Sequence, residues 1–198
     1  MSESAVALFT ALGLSTAAGL NPYLPLLITG VLARTTDLVA LAAPYDRLEE
    51  PWVLVSIAAI GAVDFVGDKV PVVDHVLHAA GVLIAPLAGA LVALAVTGSD
   101  ALDPSIALVL GIAAAGATHS ARAAARPAAT ALTGGIGNPV LSLAEDGAAA
   151  ILSFTAVVVP VIAVILVLAL FGLFTWVFVR IRRRRQDRNR PGASLPQR

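Results

Sequence analysis

From Gly147 to Val179 the chain carries no charged residue. As one helix, at about 1.5 Å per residue, that run would be roughly 50 Å long. The hydrocarbon core of a bilayer is only about 30 Å thick. Two membrane-crossing helices fit the run, and Pro160, which can begin a helix but not continue one, is the natural divider. Shorter apolar runs recur upstream, and the 198 residues are 58% hydrophobic and 13% charged, with a mean hydropathy of +0.88. These features predict an all-α polytopic integral membrane protein. A single helical domain is expected over 1–185, followed by a basic, disordered cytoplasmic tail over 186–198. The absence of cysteine excludes disulfides, cysteine–metal sites and thiol catalysis. Met1-Ser2-Glu3-Ser4 offers no basic n-region, so no cleaved signal peptide is expected.

The first apolar run, from about Ala5 to Ala33, is interrupted by Gly19-Leu20-Asn21-Pro22-Tyr23-Leu24-Pro25. Asn followed by Pro suits a helix cap and first turn, so the run reads as a broken helix or a re-entrant hairpin. A single span with a proline kink is the other reading. An acidic loop from Arg34 to Pro51 follows, then a short run from Trp52 to Val66, and a span from Ala79 to Val96 that contains Pro86. Ser105 to Thr118 is again short and apolar. Asn138-Pro139 opens the next helix, or alternatively a capping box at Ser142 and Glu145 does. About six membrane segments result. Basic residues near membrane ends favour the cytoplasm, which puts the arginine-rich tail, Lys69, Arg122 and Arg126 inside and the acidic loops outside. Both termini are then cytoplasmic in a cell membrane, with one crossing fewer if the first run is re-entrant.

The polar residues beside these runs define the candidate site. Asp64 and Asp68 are spaced to share a helix face, and His119, Arg122 and Arg126 line up in the same way. Glu145 follows Ser142 by one turn, with Asp146 beside it. An unpaired charge at the bilayer centre costs about 2.5–3.5 kcal/mol on insertion scales. Asp64 or Asp68, and Glu145 or Asp146, are therefore expected to meet Arg122 or Arg126. With Lys69 and His119 these residues would form either ion pairs that pin helices together or an inward-facing polar cavity for a solute, proton or headgroup. The first choice of function is a small transporter or channel, and the alternative is a non-transporting scaffold or assembly factor.

No catalytic residue, metal or cofactor is predicted. His75 and His78 with His119 are a weak metal signature, and Ser120 and His119 point apart as helix neighbours. The tail from Arg180 onward is expected to touch anionic lipid headgroups, at about 1 kcal/mol per basic residue near the surface, and not nucleic acid. Abundant small residues would also suit a homodimer.

Ala18-Gly19-Leu20-Asn21-Pro22-Tyr23-Leu24-Pro25-Leu26, Asp68-Lys69-Val70-Pro71-Val72-Val73-Asp74, His119-x-x-Arg122-x-x-x-Arg126 and Ser142-Leu143-Ala144-Glu145-Asp146 together resemble the bacterial membrane family called domain of unknown function 4126. The resemblance runs from the first helix to the last and leaves out the basic tail. It implies a fold and no established activity.

Overall fold

The computed structural model describes residues 1–67, 71–134 and 137–188, with the side chains of 71–78, 98–100, 128–129, 132, 181 and 184–188 left aside. Among the described residues every regular element is helical. In chain order these are α1 (Glu3–Leu20), α2 (Tyr23–Thr35), a 3₁₀ turn (Tyr45–Glu49), α3 (Pro51–Gly67), α4 (Pro71–Ala101), α5 (Pro104–Thr133), α6 (Asn138–Val158) and α7 (Pro160–Arg188). Five of them, α1 and α4 to α7, contain stretches long and apolar enough to cross a membrane, while α2 and α3 are shorter apolar helices. The chain is an all-α polytopic membrane protein.

Helix ends follow the local chemistry. The Ser2 hydroxyl accepts from the backbone N–H of Ala5 at the start of α1. The Asp103 carboxylate accepts from Ser105 ahead of Pro104 in the first turn of α5. Gly134 closes α5 at φ +62°, a left-handed cap conformation that a side chain would strain. Val159 alone separates α6 from α7, so Pro160 is the divider that the uncharged run required. One expectation is corrected here: the helix expected over Ser105 to Thr118 continues through Pro127 to Thr133. The apolar span expected from Ala79 to Val96 is found at Ala79–Thr97, within a helix that starts at Pro71. Inside a bundle, neighbouring helices and side chains can re-satisfy the backbone groups that a proline frees, which is how α4 and α5 carry Pro86 and Pro127.

α1 is the hub. It packs against α2, α4, α5, α6 and α7, and 61% of its residues are buried, against 11% in the apolar window of α7. Water drives none of this packing in lipid, so the helices approach through small residues. A Cβ on Gly13 would lie 2.7 Å from Ala156 and 3.0 Å from Ala163, and one on Gly19 would lie 2.5 Å from the Ala115 carbonyl. The Ser15 hydroxyl donates to the Gly89 carbonyl at 2.9 Å, tying α1 to α4.

These contacts fix the helix directions. Ala11 clusters with Ala93 and Ala107, Ser15 meets Gly89, and Leu20 meets Arg122. α1 is thus antiparallel to α4 and parallel to α5. Gly61 of α3 packs against Tyr23, Gly30 of α2 packs against Leu48 and Leu54, and the N–H of Ala42 donates to the Ala95 carbonyl. α2 therefore turns back along α1, and the loop from 36 to 50 sits at the same end of the bundle as the start of α1. The first apolar run is broken at Asn21 into two helices that fold back on each other. The arginine end of α7 lies at the opposite end, beside the second half of α5.

Candidate functional site

α1 stops at Leu20 because the residue before a proline is pushed out of helical geometry. Asn21 adopts φ −145° and ψ 116°. Such a break leaves orphan carbonyls at the end of one helix and orphan N–H groups at the start of the next. In lipid these must be satisfied within the protein. The N–H of Asn21 reaches back to the Ala17 carbonyl at 3.0 Å. Its side-chain Oδ1 accepts from the N–H groups of Tyr23 at 2.9 Å and Leu24 at 3.1 Å, capping α2. Its Nδ2 donates to Asp146 Oδ1 on α6 at 2.9 Å.

The other side of the break is held by α5. Arg122 Nη1 donates to the Leu20 carbonyl at 2.8 Å, a cation placed at the partially negative end of α1. Arg122 Nε donates to Glu145 Oε2 at 2.6 Å, and Arg126 Nη2 donates to the same oxygen at 3.0 Å. The side chains of Arg122 and Glu145 are each 10% exposed and that of Arg126 is 17% exposed. Hydrogen bonds between ionised partners are roughly twice as strong as neutral ones. The four charges of Arg122, Arg126, Glu145 and Asp146 cancel. Arg122 is roughly three turns short of the end of α5 and Glu145 roughly two turns inside α6, so the cluster lies within the bundle.

His119, one turn before Arg122, is buried. Its ring meets α4, with Cε1 only 2.7 Å from where a Cβ on Gly81 would stand. Ser142, one turn before Glu145, is also buried.

The structure thus joins Arg122 and Arg126 to Glu145, holds Asp146 one residue away, and places His119 on the same face of α5. Asp64 stands half-buried in the last full turn of α3, one turn beyond Gly61 and its contact with Tyr23. Asp68 and Lys69 lie outside the described residues, as do the side chains of His75 and His78. The capping box at Ser142 and Glu145 does not form. α6 already begins at Asn138, and Glu145 faces arginines instead. Sequence reasoning missed Asn21 and the Leu20 carbonyl as members of the cluster. The Asn-Pro pair was the available signal, since it marked where backbone groups would be left open.

No curated protein and no solved structure matches the chain. The family model for the domain of unknown function DUF4126 matches residues 8–180, from within the hub helix to the first arginine of α7 and across every residue of the cluster, and the chain belongs to that family.

Proposed function

We propose that the protein is a small membrane transporter whose binding centre is the break between α1 and α2. The observation that carries this reading is the convergence of two guanidinium groups on one carboxylate oxygen beside an interrupted helix. Discontinuous helices place backbone dipole ends and polar groups near the membrane midplane in transporter folds, and ionisable residues there are rarely idle. Arg122 and Arg126 would hold an anionic group, while Glu145 and Asp146 would exchange a proton or cation. The buried hydroxyls of Thr16 on α1 and Thr29 on α2 have no hydrogen-bond partner among the described residues, which leaves further polar atoms inside the broken pair.

The scaffold reading has its own support. Arg122 and Asn21 are both engaged in closing the helix break, as a purely structural staple would require. Reconstitution separates the two. Proteoliposomes carrying a pH-sensitive dye inside should show flux of protons or of radiolabelled acetate with the natural protein and none with Glu145→Gln. Flux no greater than in empty vesicles, for both probes, would leave the scaffold.

The charge distribution supports an orientation as well. The arginine end of α7 and Arg122 and Arg126, with Glu145 and Asp146, belong to one end of the bundle, and Asp37, Asp46, Glu49, Glu50 and Asp103, with Arg34 and Arg47, belong to the other. The basic end would face the cytoplasm. Because α2 runs back along α1, this orientation keeps the start of α1 with the acidic loops and revises the expectation of two cytoplasmic termini. Reporters fused before Glu3 and within the loop from 36 to 50 should agree, and one after Arg185 should oppose both.

A further inference from the structure

α7 packs against α5, and a groove remains between them. Its volume is about 240 Å³, and it is lined on α5 by Ala121, Ala124 and Ala125 and on α7 chiefly by Phe171, Phe174 and Phe178. The alanines make the floor shallow and the phenylalanines make one wall, of which Phe178 is 59% exposed. A drug-sized ligand needs about 300–1,000 Å³ and several placed polar groups. This groove is smaller, mostly apolar, and open to the surrounding lipid.

What distinguishes it from any other lipid-facing furrow is the charge at its end. On α7 the lining residues recur at helical spacing, 171, 174, 178, and the next position on that stripe is Arg182. Arg182 and Arg183 are exposed, while Arg180 lies 4.9 Å over the Trp176 ring on the opposite face of α7. The α7 stripe thus passes in one turn from the apolar furrow at Phe178 to the exposed guanidinium of Arg182. Interfacial tryptophan and arginine mark the depth at which lipid headgroups sit.

We infer that the α5–α7 groove is a binding site for one anionic phospholipid, its acyl chain along Ala121, Ala124 and Ala125 and its phosphate at Arg182. This site is separate from the polar break, whose arginines lie on another face of α5, and it stands whether or not the protein transports.

The test uses the full chain purified in detergent and exchanged into nanodiscs of defined composition. Native mass spectrometry after gentle delipidation should find one retained phosphatidylglycerol, and phosphatidylcholine of the same chains should be lost. Ala124→Phe fills the groove and should abolish retention. Arg182→Gln leaves the groove open and should weaken retention by about fivefold, the worth of one basic contact at a membrane surface. Glycerol phosphate, a headgroup without chains, should not compete. Equal retention of both lipids would overturn the proposal, and so would undiminished retention in Arg182→Gln. Competition by glycerol phosphate would assign the arginines to a soluble anion and overturn it too.

Discussion

Two helix crossings in this bundle are held in opposite ways. Where α4 meets α5, Gly89 and Gly111 stand so close that a Cβ on Gly111 would lie 2.5 Å from the Gly89 carbonyl and 2.7 Å from Ala90 Cα. That crossing is backbone on backbone, and its strength is dispersion between surfaces with nothing protruding. Where α1 meets α5 and α6, the helices are joined by Arg122, Glu145, Asn21 and Asp146, all answering the broken backbone at Leu20. The first crossing would hold in any register of chemistry that keeps its residues small. The second depends on specific protons and charges, and it is the only one of the two that could respond to a solute. A close-packed crossing fixes distance, whereas a polar crossing fixes distance and also stores a state that ligands or protons can change.

The largest effect should come from unbalancing the polar crossing. Glu145→Ala takes the shared carboxylate from buried Arg122 and part-buried Arg126, and removing one partner of a buried ion pair costs about 3–5 kcal/mol. Thermal unfolding in detergent should show that loss. Adding Arg122→Ala to it should recover part of the loss, because one of the two guanidinium groups that Glu145 served goes with it. The recovery should stay incomplete, since the Leu20 carbonyl loses its donor. If the two losses simply add, the pair is not coupled and the crossing is no staple. If the double variant folds yet fails in the proteoliposome assay, the transporter reading is sharpened.

Gly111→Ala tests the dry crossing. The atoms in the way are backbone, which cannot rotate aside, so α4 and α5 must separate. Overpacking of this kind costs about 1–3 kcal/mol. Unchanged stability would show that the crossing is looser than its distances imply. Asn21→Ala should cost less, about 0.5–2 kcal/mol, the range for losing a helix cap. It also frees Asp146, so its stability loss should shrink when Asp146→Asn is added. No such coupling would mean that Asn21 serves α2 alone.

Much of the dry architecture could be read in the sequence and much of the polar crossing could not. The uncharged run from Gly147 to Val179 demanded two helices, and Pro160 divides them. Asn21-Pro22 pointed to a break, with a kinked single span as the other reading, because a proline there loses a backbone bond. Both are local constraints that one stretch of sequence carries by itself. The pairing of Arg122 and Arg126 with Glu145 was legible as an expectation, since buried charges must find opposite partners and few were on offer. That Arg122 would also answer the Leu20 carbonyl was not legible, because it depends on how α1 and α5 lie side by side. The true reach of α5 was hidden for a related reason. His119, Arg122 and Arg126 look like the polar end of a short span, yet they continue as helix because α1 and α6 supply partners for the two arginines and α4 packs on the histidine. Gly89 and Gly111 were anonymous among many small residues until the crossing singled them out.

The smallest effect is expected at Gly147, and it calibrates the others. Gly147 follows Asp146 in α6, one residue from the polar crossing, but a Cβ there would meet nothing within 4 Å. The glycine is therefore not needed for a close approach, unlike Gly111. It is also not needed for an unusual backbone, because it sits in the middle of a helix. Alanine should gain the intrinsic preference of a helix interior, about 0.5–1 kcal/mol over glycine, chiefly by restricting the unfolded chain. Gly147→Ala should thus unfold at a slightly higher temperature than the natural protein, and the same substitution at Gly111 should act in the opposite direction. A loss at Gly147 as large as the one at Gly111 would mean that something else fills the space beside Asp146, and that the two crossings differ less than their geometry says.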